Sequence, residues 1–108
     1  MAISAELLAL AVSLGETLDA QDMRQGAYAR ALLAGGLFHR CQMQAADMRE
    51  ADAREAVFEQ CDLSGTLWSG ARLRHAVFNR CLLDHADLRR ADLHGATFND
   101  CVLHHAQF

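Results

Sequence analysis

Proline is absent from these 108 residues, and so is lysine. Without proline, every residue keeps a backbone N–H that a hydrogen-bonded ladder can use. All ten basic side chains are arginine, set against fourteen acidic ones, for a net charge of −4. There is no basic excess of the kind that direct nucleic-acid binding requires. Aromatic residues make up only 6% of the chain. No apolar run reaches the roughly twenty residues of a membrane-spanning helix. No Arg or Lys precedes the apolar N-terminal stretch, as it would in a secretory leader. These absences lead to the expectation of one short domain, cytoplasmic and without membrane contact.

What the chain does have is a five-residue frame, unbroken from Glu16 to Phe108. It reads ETLDA QDMRQ GAYAR ALLAG GLFHR CQMQA and continues in that way to CVLHH AQF. The third residue of each unit is apolar: Leu18, Met23, Tyr28, Leu33, Phe38 and on to Leu103 and Phe108. The first residue is nearly always Ala, Cys, Gly or Thr. A period of twenty lies on top of the period of five. Phe38, Phe58, Phe78 and Phe98 recur at that interval, and so do Cys41, Cys61, Cys81 and Cys101.

A solenoid with four five-residue sides stacks residue n on residue n+20. Its coils sit about 4.8 Å apart, the spacing of paired strands. A single coil cannot bury its apolar positions alone and gains a core only by stacking. The first and third positions of each unit then point inward, and the other three outward. The length gives four to five coils, a rod of roughly 22 Å. Ala53 stands where Leu or Phe is usual, so that level is expected to be thinly packed, with Trp68 in the next coil leaning toward the gap.

ADLRR at 86–90, ADLHG at 91–95 and ADMRE at 46–50 resemble the Ala-Asp/Asn-Leu-x-x consensus of the pentapeptide-repeat family. The resemblance covers residues 16–108. It implies an all-β solenoid, a right-handed quadrilateral β-helix with four pentapeptides to a coil. Some members of that family resemble B-form DNA in size and charge and bind DNA gyrase.

Residues 1–15 fall outside the frame and are expected to cap the β-helix. Ser4 suits a helix N-cap and Gly15 a helix end. Ile3, Leu7, Leu10, Ala11 and Leu14 fall on one helical face, and Leu8 and Val12 on another. The expected lid is a helix near residues 4–14 whose Ile3, Leu7, Leu10 and Leu14 cover Leu18, Met23 and Tyr28. Leu8 and Val12 would then face outward, toward a second subunit.

No residue pattern announces a chemistry. The cysteines do not have zinc-ligand spacing and are expected to form an inward column of buried, reduced thiols. His85 and His105 share an outward column, and Asp84 and His104 the adjacent one, at positions that tolerate almost any polar residue. No metal site is expected there. Ser64 and Ser69 lack a histidine in a neighbouring column at their level, and the carboxylates are dispersed. The expectation is a protein that is not an enzyme and uses no cofactor.

Three readings of its role remain. Interleaved Arg and Asp/Glu, and a face carrying Arg54, Arg72, Arg74 and His75, count against a DNA mimic that binds a topoisomerase such as gyrase, though the family resemblance keeps it open. An adaptor in a larger assembly such as a secretion system fits a rod but has no motif behind it. The third is a scaffold acting through protein–protein contacts.

Two surfaces carry that third reading. The outward positions Thr17, Leu37, Val57, Val77 and Thr97 stack into one stripe, with Leu82 and Val102 on the next side and Leu32 and Leu67 on the others. Such a stripe suits another protein of unknown identity. The last coil leaves Leu93, Phe98, Leu103 and Phe108 beneath an open end. That end is expected to be covered by a twin subunit, a partner or a further C-terminal segment. A two-fold homodimer is the expected form.

Overall fold

The computed structural model describes residues 2–108. One helix, α1 (Ala5–Ser13), precedes five short strands: β1 (Thr17–Asp19), β2 (Leu37–His39), β3 (Val57–Glu59), β4 (Val77–Asn79) and β5 (Thr97–Asn99). The strands form one parallel sheet in the order β1-β2-β3-β4-β5. Its register pairs Leu18 with Phe38, Phe38 with Phe58, Phe58 with Phe78 and Phe78 with Phe98. The step of twenty expected from the sequence is therefore the step of the ladder. The other three sides are joined by single parallel bridges, such as Asp22 to Gln42, Ala27 to Asp47 and Leu32 to Asp52. The result is a parallel β-solenoid. Its complete coils are residues 16–35, 36–55, 56–75 and 76–95, and residues 96–108 add the first sides of another.

Three corners of each coil are made in the same way: the N–H of a unit's first residue donates to the carbonyl of the preceding unit's third residue, as Gly26 does to Met23 at 3.1 Å. The residue before it takes a positive φ, as a type II turn demands at that place. The fourth corner, after each strand, is a bend that keeps the positive φ without that bond. Fourteen such residues are not glycine, from Ala20 (φ 55°) to His105 (φ 59°). A left-handed backbone costs an L-residue about 1–2 kcal/mol. Bonds between coils hold it in place: Gln25 N–H donates to the Gln44 carbonyl at 2.8 Å, and Glu50 N–H to the Ser69 carbonyl at 2.9 Å.

The aspartate of the consensus also has a local task. Its carboxylate accepts the N–H two residues on, at 3.1 Å for Asp47 and Arg49 and at 3.0 Å for Asp62 and Ser64.

The core is a set of columns. The phenylalanine rings stack nearly parallel with centroids 4.9, 4.9 and 4.7 Å apart. Trp68 stands edge-on to Phe58 and Phe78, and its Nε1–H donates to Thr66 Oγ1 at 2.8 Å. Ala53 and Trp68 are both fully buried. At Gly26 the first position has no room for a side chain: a Cβ there would overlap the Tyr28 ring.

α1 caps the first coil as expected, with Ser4 Oγ accepting from Leu7 N–H at 3.2 Å. Its phase differs from the sequence expectation. Leu8 and Ala11 are buried, and Ile3, Ala5 and Val12 pack at the margin of the core. Leu7, Leu10 and Leu14 are instead 58%, 53% and 66% exposed. The helix is apolar on nearly every side, so periodicity alone could not choose the inward face. The flanking chain chooses it. Glu16 N–H donates to the Ala11 carbonyl at 3.0 Å, and Tyr28 Oη donates to the Ile3 carbonyl at 2.7 Å. Those two tethers turn Leu8 toward the core, so Leu8 is covered within its own chain and not by a second subunit.

Leu8→Ala should therefore destabilise the protein by about 2–5 kcal/mol through lost burial and a cavity. Leu10→Ala should stay within about 0.5 kcal/mol in dilute solution, where its side chain is exposed. Urea denaturation of the two variants measures both, and equal losses would restore the phase expected from the sequence.

Candidate interaction surfaces

Three apolar surfaces remain after folding. The first is the lateral stripe. The register places Thr17, Leu37, Val57, Val77 and Thr97 in one line. Leu37 is exposed, whereas Val57 and Val77 are half-covered by their neighbours in the stack. Leu82 bridges to Val102 on the next side, with Leu82 exposed and Val102 half-covered. Leu32 and Leu67 are exposed on the remaining sides.

The second surface is the C-terminal end of the solenoid. Phe108 is 61% exposed and Leu103 36%, while Leu93 and Phe98 are half-buried. Earlier members of the same columns, among them Phe58, Leu63, Trp68 and Leu73, are fully buried. The earlier residues are each roofed by a further coil along the axis, and these four are not. Phe108, which follows Leu88 in the column of Trp68, sits edge-on to Phe98 at 5.8 Å, as Trp68 does to Phe58 and Phe78.

The third surface is the outer side of α1, formed by Leu7, Leu10 and Leu14, and it was not among the sites expected from the sequence. A groove beside it, between the helix and the first coil, is lined by Leu10, Val12, Leu32 and Ala34. The clue was available in the two apolar stripes, since the first coil can bury only one.

Charge is arranged in short clasps. Asp22–Arg24, Asp47–Arg49, Asp52–Arg54 and Asp87–Arg89 each close at 2.7–2.9 Å. Hydrogen bonding to the guanidinium holds all four carboxyls below the usual range, with Asp87 at about 2. Arg74 reaches across a coil to Asp92 at 2.7 Å, Arg40 pairs with Asp19, and Arg80 pairs with Glu59. Arg72 and Arg90 have no ion pair among the described residues. Exposed pairs of this kind stabilise little. They break the net negative charge into neutral patches, so no side of the rod is a uniform run of acid.

The cysteines form the expected column. Cys41, Cys61 and Cys81 are buried, and all four are free thiols. Each Sγ–H donates to a carbonyl of the coil before it, as Cys61 does to Phe38 and Cys81 to Phe58. Cys101 departs from the expectation: it belongs to the last, uncovered level and is only half-buried. Coupling to the stacked Cys41 and Cys81 thiols, together with burial, raises the Cys61 thiol above its ordinary range. Burial also raises Cys101.

The histidine columns are as expected. His85 and His105 stack at 4.8 Å, and His75 meets His94 edge-on at 6.0 Å. Asp84 Oδ1 is covered and has no hydrogen-bond partner. Among the described residues, no three His, Cys, Asp or Glu side chains converge as metal ligands. Nor is any described helix long and apolar enough to cross a membrane.

The thiols make a direct probe of this arrangement. A membrane-permeant or aqueous maleimide should modify Cys101 slowly in the native protein. Cys41, Cys61 and Cys81 should react only after unfolding, as mass spectrometry of the labelled peptides would show. Early modification of Cys61 would contradict the inward column.

A search of curated proteins found no match. Among solved structures, the chain is similar to a pentapeptide repeat protein (Rfr23) from the cyanobacterium Cyanothece 51142, with a TM-score of 0.72 and 18% identity. That match covers 75% of this chain and 56% of the Cyanothece protein, so this chain spans little more than half its length. It is also similar to alr5209, a pentapeptide repeat protein from Nostoc Pcc 7120, with a TM-score of 0.61, 26% identity, and coverage of 91% and 79%. The family model described as pentapeptide repeat region matches residues 33–108. With that match over most of its length and the five-by-four solenoid beneath it, the chain belongs to the pentapeptide-repeat family.

Proposed function

We propose that this protein is a non-enzymatic scaffold that works through protein–protein contacts and associates with further copies of itself. The supporting observation is the C-terminal end of the solenoid. There Leu93, Phe98, Leu103 and Phe108 occupy the same columns as fully buried residues but remain partly open to water. Covering them removes apolar surface from water at roughly 25 cal/mol per Å². Solenoid ends and open strand edges are ordinarily protected. The lateral stripe of Leu37, Val57 and Val77, with Leu82 and Val102 beside it, serves as a docking surface for a different protein. Its half-covered branched side chains suit a flat partner.

Phe108→Glu tests the self-association. It puts a charge where the contact would bury it without a partner, which is costly, and among the aromatic contacts removes only the edge-on one to Phe98. In light scattering at high micromolar concentration, the unaltered chain should exceed its monomer mass of 11.9 kDa, and the Phe108→Glu chain should not. An unaltered chain that stays monomeric at every concentration would overturn the proposal. In that case Ser at Leu37, Val57 and Val77 becomes the test of an outside partner.

A further inference from the structure

α1 carries apolar side chains on more than the side it buries. Leu8 and Ala11 face the first coil, whereas Leu7, Leu10 and Leu14 are each more than half exposed. A helix that is apolar around most of its circumference is the kind found covered on more than one side. The exposed stripe also borders a trough. Ala9, Leu10, Val12, Leu32 and Ala34 line the groove between α1 and the first coil, with Glu6 as its one charged wall residue. Past Ala34 the chain turns through Gly35, where a Cβ would meet nothing within 4 Å, and reaches the exposed Leu37. Apolar surface therefore extends from the helix to the start of the second coil.

The charge around this groove has one sign. Residues 1–60 hold nine acids and five arginines, and residues 61–108 hold five of each, so the whole net charge of −4 lies in the half that contains the groove. The arginines near it are already engaged. Arg30, two residues before Leu32, pairs with Glu50 at 3.4 Å, and Arg54, one coil above Ala34, pairs with Asp52 at 2.7 Å. Three glutamates are not engaged. Glu6 in the groove wall, Glu16 one coil step below Gly36 and Glu55 one coil step above Gly35 have no ion pair among the described residues.

We propose that this groove docks an apolar helical segment of another protein that carries lysine or arginine along its flanks. The apolar wall takes the anchors, and Glu6, Glu16 and Glu55 take the flanking cations. The proposal extends the scaffold reading to a third surface and does not depend on association between copies. Apolar anchors at i, i+3 or i+4, and i+7 are the mode that a trough beside one helix suits. A second copy is disfavoured as occupant, because two such grooves set each glutamate against glutamates of the other copy. An anionic lipid surface meets the same repulsion. α1 has nine residues and spans roughly 13 Å, so the contact is smaller than a standard interface and should exchange rapidly.

The probe is a synthetic peptide of about 15 residues, long enough to form a helix, with Leu at that spacing and Lys elsewhere. Its counterpart has Glu in place of Lys. In fluorescence anisotropy, the Leu/Lys peptide should bind the unaltered chain in the micromolar range, roughly tenfold or more above the Leu/Glu peptide. Leu10→Ser should weaken that binding roughly tenfold. Leu7→Ser replaces it if circular dichroism shows that Leu10→Ser does not fold. Glu6→Gln with Glu16→Gln should weaken binding severalfold and flatten its dependence on salt. Val57→Ser on the lateral stripe and Phe108→Glu at the far end should bind as the unaltered chain does, which separates this result from lateral docking and from self-association. No binding to the unaltered chain, or binding that Leu10→Ser and Leu7→Ser leave intact, would overturn the inference. Equal binding of the Leu/Glu peptide would overturn it too. So would a dimer that Leu10→Ser disrupts and Phe108→Glu does not, or binding to anionic phospholipid vesicles that Leu10→Ser abolishes, since each points to a different occupant.

Discussion

Each coil of this protein depends on the next. The ladder bonds that hold a corner in its left-handed conformation are made to the following coil, as from Ala20 to His39 and from Arg40 to Glu59. The apolar third residues are buried because the same position twenty residues later lies on top of them. A coil taken alone would have strained corners, unpaired N–H groups and a core open on both faces. Stability in such a structure is close to a sum of neighbour terms, so the two ends differ physically from everything between them.

The ends are where this chain departs from its own repeat. The upper end is closed by α1, fastened through Tyr28 to Ile3 and through Glu16 to Ala11. The lower end has the same columns, and they stay open to water. Phe98 continues the stack of Phe38, Phe58 and Phe78, yet it lies half-buried where they are buried. Cys101 obeys the same rule in the thiol column. The sides are largely neutralised by Asp–Arg clasps, so the apolar surface left after folding lies mostly at the two ends and along the outer stripes.

Much of this was legible before any coordinates. The five- and twenty-residue periods specify the coil and its register, because only residues that stack can recur so strictly in type. The inward column of cysteines and the stripe of Leu37, Val57 and Val77 come from the same phase. The helix was legible only in part. Ser4 and Gly15 mark its ends, but an apolar helix presents two candidate faces. The choice between Leu8 and Leu10 rests on tethers to residues outside it, which no local periodicity contains. The αL corners were hidden for a similar reason: Arg, Glu, Gln and His do not advertise a positive φ, and the bonds between coils impose it. The outer helix stripe was missed because that same surface had been assigned to the core.

Hydrogen–deuterium exchange, read by mass spectrometry on the 108-residue chain at low and at high micromolar concentration, tests the dependence of each coil on its neighbour most directly. At low concentration, protection should be greatest in the coils spanning 36–75 and least in residues 96–108. At high concentration, it should rise in residues 96–108, leaving the middle unchanged. Protection that is uniform along the chain, or that does not change with concentration in residues 96–108, would contradict the account.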